Sequence, residues 1–202
     1  MMMGAIAGFL LSGMPATNDA SGLMSRVDAT RSIAACVLKR DRTDAIAIAG
    51  SEPATPRFDK AAGRIDAPLT ACLDPDMRSL LIRINDLRGV FAETLLKEAD
   101  GGALARARAL PVIPPRRIEL GKSQVANDAA LFRCVAGADP QRAASLVEAA
   151  PGSVEEASAF RGLSPALQSC VPANAAMQLK AFQVRLLVAA SLYGRLADLS
   201  GA

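Results

Sequence analysis

Apolar positions along the chain fall into runs with helical spacing, and the breaks between runs carry Asp, Ser, Gly or Pro. The clearest run covers about 76–98, where Met77, Leu80, Ile84, Leu87, Phe91 and Leu95 recur at steps of three and four. That spacing lays them on one face of an amphipathic helix. A second long run, about 175–198, is apolar around more of its circumference, with Phe182, Val184, Leu186, Leu187, Val188, Leu192 and Tyr193. A helix apolar on most sides belongs between neighbours, so this one is expected where two parts of the chain pack together.

Shorter helices are predicted over about 28–39, 42–49 and 56–64, and again over about 124–136, 140–150 and 153–161. Asp41 and Asp139 open the second helix of each set. The stretches "DAPLTAC" (66–72) and "SPALQSC" (164–170) read as short capped turns, with Asp66 or Ser164 as the cap and a proline in the first turn.

These elements occur twice in the same order. Cys36 and Cys72 stand 36 positions apart, as do Cys134 and Cys170, so both cysteines recur after a step of 98. Asp41 and Asp139, Ile65 and Leu163, and Leu69 and Leu167 keep that step. Beyond the second cysteine the step becomes 97, which sets "LRGVFAETLL" (87–96) over "VRLLVAASLY" (184–193) and aligns Arg88 with Arg185, Ala92 with Ala189, and Leu95 with Leu192. The expected fold is therefore all-α: two tandem duplicated bundles of about four helices each, over 25–99 and 123–199. Residues 100–122 are the expected linker. Gly101 and Gly102 stop the long helix there, and Pro111, Pro114 and Pro115 forbid another.

Residues 1–20 stand outside this scheme. Met1–Met14 is an apolar run broken only by small residues and Ser12, followed by small and polar residues around Pro15–Ala20. It has the hydrophobic region and cleavage zone of a signal peptide but no Lys or Arg ahead of it, the first basic residue being Arg26. The competing reading is an apolar tail docked on the core. The run is too short to span a bilayer, so no transmembrane span is expected in the mature chain.

Composition narrows the chemistry. The 202 residues are 51% hydrophobic and only 3% aromatic, with 23 basic against 20 acidic residues. Ala and Leu favour helices. The excess of charge is small, and a nucleic-acid binder would more often show a basic stripe interleaved with aromatic stacking residues, which argues against that function. There is no histidine, which excludes Ser-His-Asp and Cys-His catalysis and histidine-containing zinc sites. No cofactor or metal is expected, and the chain reads as a non-enzyme.

The four cysteines carry the strongest site expectation. No two lie at C-x-x-C spacing, as zinc or redox motifs need. Four buried thiols are the bland alternative. The duplication favours the disulfides Cys36–Cys72 and Cys134–Cys170; closing a loop of that length contributes roughly 3–4 kcal/mol in the chain-entropy model. Such bonds belong in an oxidising compartment.

Other motifs are weaker. "LGKS" (120–123) resembles the end of a phosphate-binding loop, but Arg116 stands where that motif needs glycine, and prolines precede it instead of a strand. "PVIPPR" (111–116) fits a P-x-x-P-x-R ligand pattern and reads more simply as a stiff spacer. Arg88 and Arg185 are candidate positions for an anion clamp or for structural ion pairs. The functional expectation is a periplasmic or secreted helical protein that binds a protein or envelope partner, with the cytoplasm as runner-up. The alternative is a carrier holding an apolar ligand such as a fatty acid within its bundles.

Overall fold

A computed structural model describes residues 26–73, 83–98, 102–172 and 180–200. Among these the chain forms eleven α-helices and no strand. The amino-terminal run, Met77 and Leu80 lie outside the described residues.

The first half begins with α1 (Arg26–Arg40) and α2 (Arg42–Gly50), broken apart by Asp41 alone. Asp41 leaves helical geometry (φ −143°, ψ 76°) and its carboxylate accepts the N–H of Asp44, supplying an orphan donor of α2 with a partner. Helix α3 (Pro56–Arg64) is capped by Thr55 and entered through a proline. Helix α4 (Asp66–Ala71) follows at once, and α5 (Ile84–Leu96) completes the half.

The second half runs through the same sequence of shapes. Helix α7 (Gln124–Ala138) and α8 (Pro140–Glu148) are separated by Asp139, at φ −144° and ψ 76°, whose carboxylate accepts from Arg142 N. Ser153 caps α9 (Val154–Gly162), which leads into α10 (Ser164–Cys170) and then α11 (Ala181–Ser200). The turn before the third helix holds a left-handed residue in each half, Ala54 at φ 63° and Gly152 at φ 77°.

Two expectations need correction. Asp66 and Ser164 are not caps: Ile65 and Leu163 take that place without any side-chain bond. Both stay in right-handed helical geometry, so α3 and α9 run almost directly into the next helix and the junction residue's carbonyl accepts from Leu69 or Leu167. The stretch 100–122 is also not free of helix. It contains α6 (Gly102–Arg108), because the prolines begin only at Pro111 and "GALARAR" consists of good helix formers after its glycine. Helix α6 packs on α8, with Ala107 and Leu110 buried.

Residues 111–123 then run without helix, exposed except at Ile118, as a strap over the second half. Ile113 N–H donates to Gly137 O at 2.9 Å and Ile118 N–H to Cys170 O at 3.0 Å, which fixes the strap across the ends of α7 and α10.

The halves share one core. Among the described residues, nearly all the buried apolar side chains, Ala29 and Ala129 apart, fall in one cluster that includes Phe58 and Phe91 from one half and Phe132 and Leu192 from the other. Helix α11 lies at its centre, against α5, α7, α2, α8 and α6. The α5–α11 crossing is tight at Gly89, where a Cβ would come within 2.4 Å of Leu186 Cβ. Only glycine lets the two backbones approach so closely.

Candidate functional site

The structure holds two disulfides, Cys36–Cys72 and Cys134–Cys170, with Cα–Cα distances of 5.8 and 5.9 Å. The first ties α1 to the end of α4 and the second ties α7 to the end of α10. Their surroundings differ. Cys36 and Cys72 are half-buried, whereas Cys170 is fully buried and the strap passes over the second bond, Arg116 O lying 3.2 Å from Cys134 Sγ. Among the described residues no group of three or more His, Cys, Asp or Glu is placed to hold a metal ion, and no helix is long and apolar enough to cross a membrane.

Arg88 and Arg185 do not form a shared clamp. Each instead reaches the carboxyl end of the second helix in its own half. Arg185, 1% exposed, fills all five of its N–H groups. Its Nε donates to Glu93 Oε1 at 2.8 Å, and Nη1 to Leu146 O at 2.8 Å and Glu156 Oε1 at 2.9 Å. Its Nη2 donates to Val147 O at 2.6 Å and Ala149 O at 2.7 Å. The guanidinium thus caps α8 where the helix dipole is negative, and it crosses the seam to a carboxylate on α5. No donor is left for an exogenous anion.

Glu93 is the other half of that pair and was not legible in the sequence. It is buried, with Lys97 Nζ 3.2 Å from Oε1. Arg31 Nη2 stands 3.5 Å from Oε2, an ion pair without hydrogen-bond alignment. Burial works against the Glu93 carboxylate, but Arg185, with Lys97 and Arg31 behind it, outweighs burial and holds it below the usual carboxylate range.

Arg88 is as deeply placed and far less satisfied. At 2% exposure its Nε donates to Ser51 O at 2.9 Å, while Nη2 lies 3.7 Å from Glu52 and makes no hydrogen bond among the described residues. Glu52 is shared, because Arg133 Nη1 takes the same oxygen at 3.1 Å. Burial pushes the Arg88 guanidinium down, Glu52 opposes that, and Arg133 adds to it.

A third buried arginine, Arg195, donates to Ala136 O at 2.9 Å and to Pro111 O at 2.7 Å, anchoring the start of the strap. Its signal was in the sequence: an arginine inside an otherwise apolar helix needs partners. "LGKS" is no phosphate loop here, since Ser123 caps α7 by accepting from Ala126 N.

Described residues line cavities at two places that bear on these side chains. One, of about 480 Å³, lies between α8 and α9 beside Arg142 and Glu155. The other, of about 350 Å³, lies where the first turns of α5, α7 and α11 converge, and Arg88 lines it. Both mix charged and apolar walls. No protein-family model, curated protein or solved structure matches the chain.

Proposed function

We infer that this chain is a non-enzymatic, disulfide-stapled helical protein that works in the periplasm or outside the cell by binding a protein or envelope partner. The observation that carries this reading is the pair of disulfides, one fastening the first helix to the fourth in each half. Reducing cytosol does not sustain such bonds in most organisms. The surface that suits docking is the strap at 111–123. It presents Val112 (68% exposed), Ile113 and Leu120 beside Arg116, Arg117 and Lys122, on a backbone already tied to Gly137 and Cys170 by hydrogen bonds. Pre-ordering lowers the entropic cost of binding.

The two halves are read as a tandem duplication with the proline-rich strap as linker. Three pairs support this at the step of 98: the near-identical backbone angles of Asp41 and Asp139, the left-handed Ala54 and Gly152, and the Thr55 and Ser153 caps. At the step of 97, Gly89 meets Leu186, its own counterpart. A residue that touches its counterpart lies on a pseudo-twofold axis, as in an isologous dimer interface.

Cell fractionation followed by in situ cross-linking tests the proposal. The protein is expected in the periplasmic or secreted fraction, with an adduct that weakens in the double variant Val112→Ser, Ile113→Ser. A wholly cytoplasmic pool, or an adduct indifferent to the strap, would overturn it.

A further inference from the structure

The strap carries two adjacent cations, Arg116 and Arg117, in a setting that no other basic residue among those described shares. Most of the others lie within helices. Arg83, Lys97 and Lys180 adjoin helix ends, and Lys122 directly precedes the Ser123 cap. Arg116 and Arg117 stand in the middle of a long irregular run, both exposed, behind Pro114 and Pro115. Exposed backbone outside helices and sheets is where proteolytic cutting concentrates.

The bonds after the two arginines are not equivalent. Arg116 O lies 3.2 Å from Cys134 Sγ, turned inward to the disulfide. Amide hydrolysis in a protease needs that oxygen to meet the enzyme's own donors instead. Arg117 makes no hydrogen bond or ion pair among the described residues, so neither its carbonyl nor its guanidinium has a partner to give up. The chain is fastened on both sides of it. Ile113 N–H holds Gly137 O on one side, and Ile118 N–H holds Cys170 O on the other. Gly121 is pinned further along, its N–H donating to Asn127 Oδ1 at 2.8 Å and its carbonyl accepting from Asn127 Nδ2 at 3.0 Å. A cut between these anchors frees only a short length of chain. It also leaves the two halves together, since α11 packs on α5, α6 packs on α8, and Arg185 holds Glu93 across the seam.

We propose that the Arg117–Ile118 bond is a processing site for an endopeptidase specific for basic residues, and that the cut yields two chains which remain one folded particle. Water adds across the amide: the C–N bond breaks, Arg117 gains a carboxylate and Ile118 an ammonium. No oxidant or cofactor is consumed. The new ammonium can keep its bond to Cys170 O, now charge-assisted. The site stands whether or not the strap docks a partner, which the Val112 and Ile113 variant tests separately.

Limited digestion of the oxidised full chain with trypsin, sampled over time and read by mass, tests the site. The first new amino terminus is expected at Ile118. The nicked protein should elute as one particle with its helical circular dichroism retained. In urea without reductant it should separate into two chains, because each disulfide lies within one half. Arg117→Gln should slow formation of the Ile118 terminus at least about a hundredfold, because the protease's anionic pocket loses its cation, whereas Arg116→Gln should leave the rate unchanged. Both side chains are exposed and make no ion pair among the described residues, so the fold does not hang on them. Protein expressed from its own gene and acid-quenched at harvest should contain chains that begin at Ile118. A first cut elsewhere, halves that part without denaturant, a rate indifferent to Arg117→Gln, or natural protein wholly continuous through Arg117–Ile118 would each overturn the proposal.

Discussion

Replacing Gly89 with alanine tests the packing on which the shared core depends. The new Cβ would lie 2.4 Å from Leu186 Cβ, 2.8 Å from Leu186 O and 3.0 Å from Leu186 C. Carbon atoms at their optimum stand about 3.5–4.0 Å apart, so the shortfall exceeds about 1 Å. Two of the three obstructing atoms are backbone, and no rotamer change removes them. Helix α5 must move away from α11, and that motion also pulls Glu93 from Arg185, one turn along α5 and one residue back on α11. Overpacking costs roughly 1–3 kcal/mol, here at the upper end, and alanine returns about 1 kcal/mol of helix propensity. The expected net loss is about 2 kcal/mol, or a fall in Tm of about 4–8 °C for a chain of this size. Gly63→Ala is the matched control. It lies on the exposed side of α3 with nothing within 4 Å of the added Cβ, so propensity alone should raise stability by about 0.5–1 kcal/mol. Urea unfolding of the oxidised proteins measures both. A Gly89→Ala protein as stable as the parent would refute the close α5–α11 crossing.

Acid should weaken the seam. Glu93 has its folded pKa below its unfolded value, so its stabilisation is full above the ordinary carboxylate range and is lost as pH falls through the folded pKa; urea midpoints against pH should show this loss, and Glu93→Gln should flatten that limb while lowering stability at neutral pH. The left-handed turns should respond in opposite senses, since a non-glycine residue there costs about 1–2 kcal/mol: Ala54→Gly is expected to raise the thermal midpoint and Gly152→Ala to lower it, and the reverse order would contradict the backbone described at both turns. Reductant should open Cys36–Cys72 before Cys134–Cys170, because the latter lies under the strap with Cys170 fully buried. Timed alkylation and peptide mapping read that order.

Most of the helical framework was legible because its signals are local. The aspartates at 41 and 139 and the spacing of Leu87, Phe91 and Leu95 each act within a few turns of chain. The expected segments at 42–49 and 56–64 accordingly match α2 and α3 within a residue or so. Helix α6 was hidden because glycines and prolines crowd the stretch around it, although none falls inside "ALARAR". The Ile65 and Leu163 junctions were misread because a polar residue before proline looks like a cap, and only tertiary geometry shows the preceding helix running on. The partner of Arg185 was out of reach for another reason. Glu93 lies 92 positions away, and no periodicity in one helix names the acidic residue on another. The cavity beside Arg88 belongs to the same class, since it appears only when three helix starts meet.

The disulfides in their natural compartment are the most direct test of the central claim. Cells that express the chain from its own gene would be quenched with acid and a thiol-alkylating reagent before lysis. The protein would then be digested without reductant and its peptides mapped by mass. The account predicts unmodified cysteines in two cross-linked pairs, Cys36 with Cys72 and Cys134 with Cys170. Four alkylated cysteines in freshly quenched protein, or any bond joining one half to the other, would contradict it.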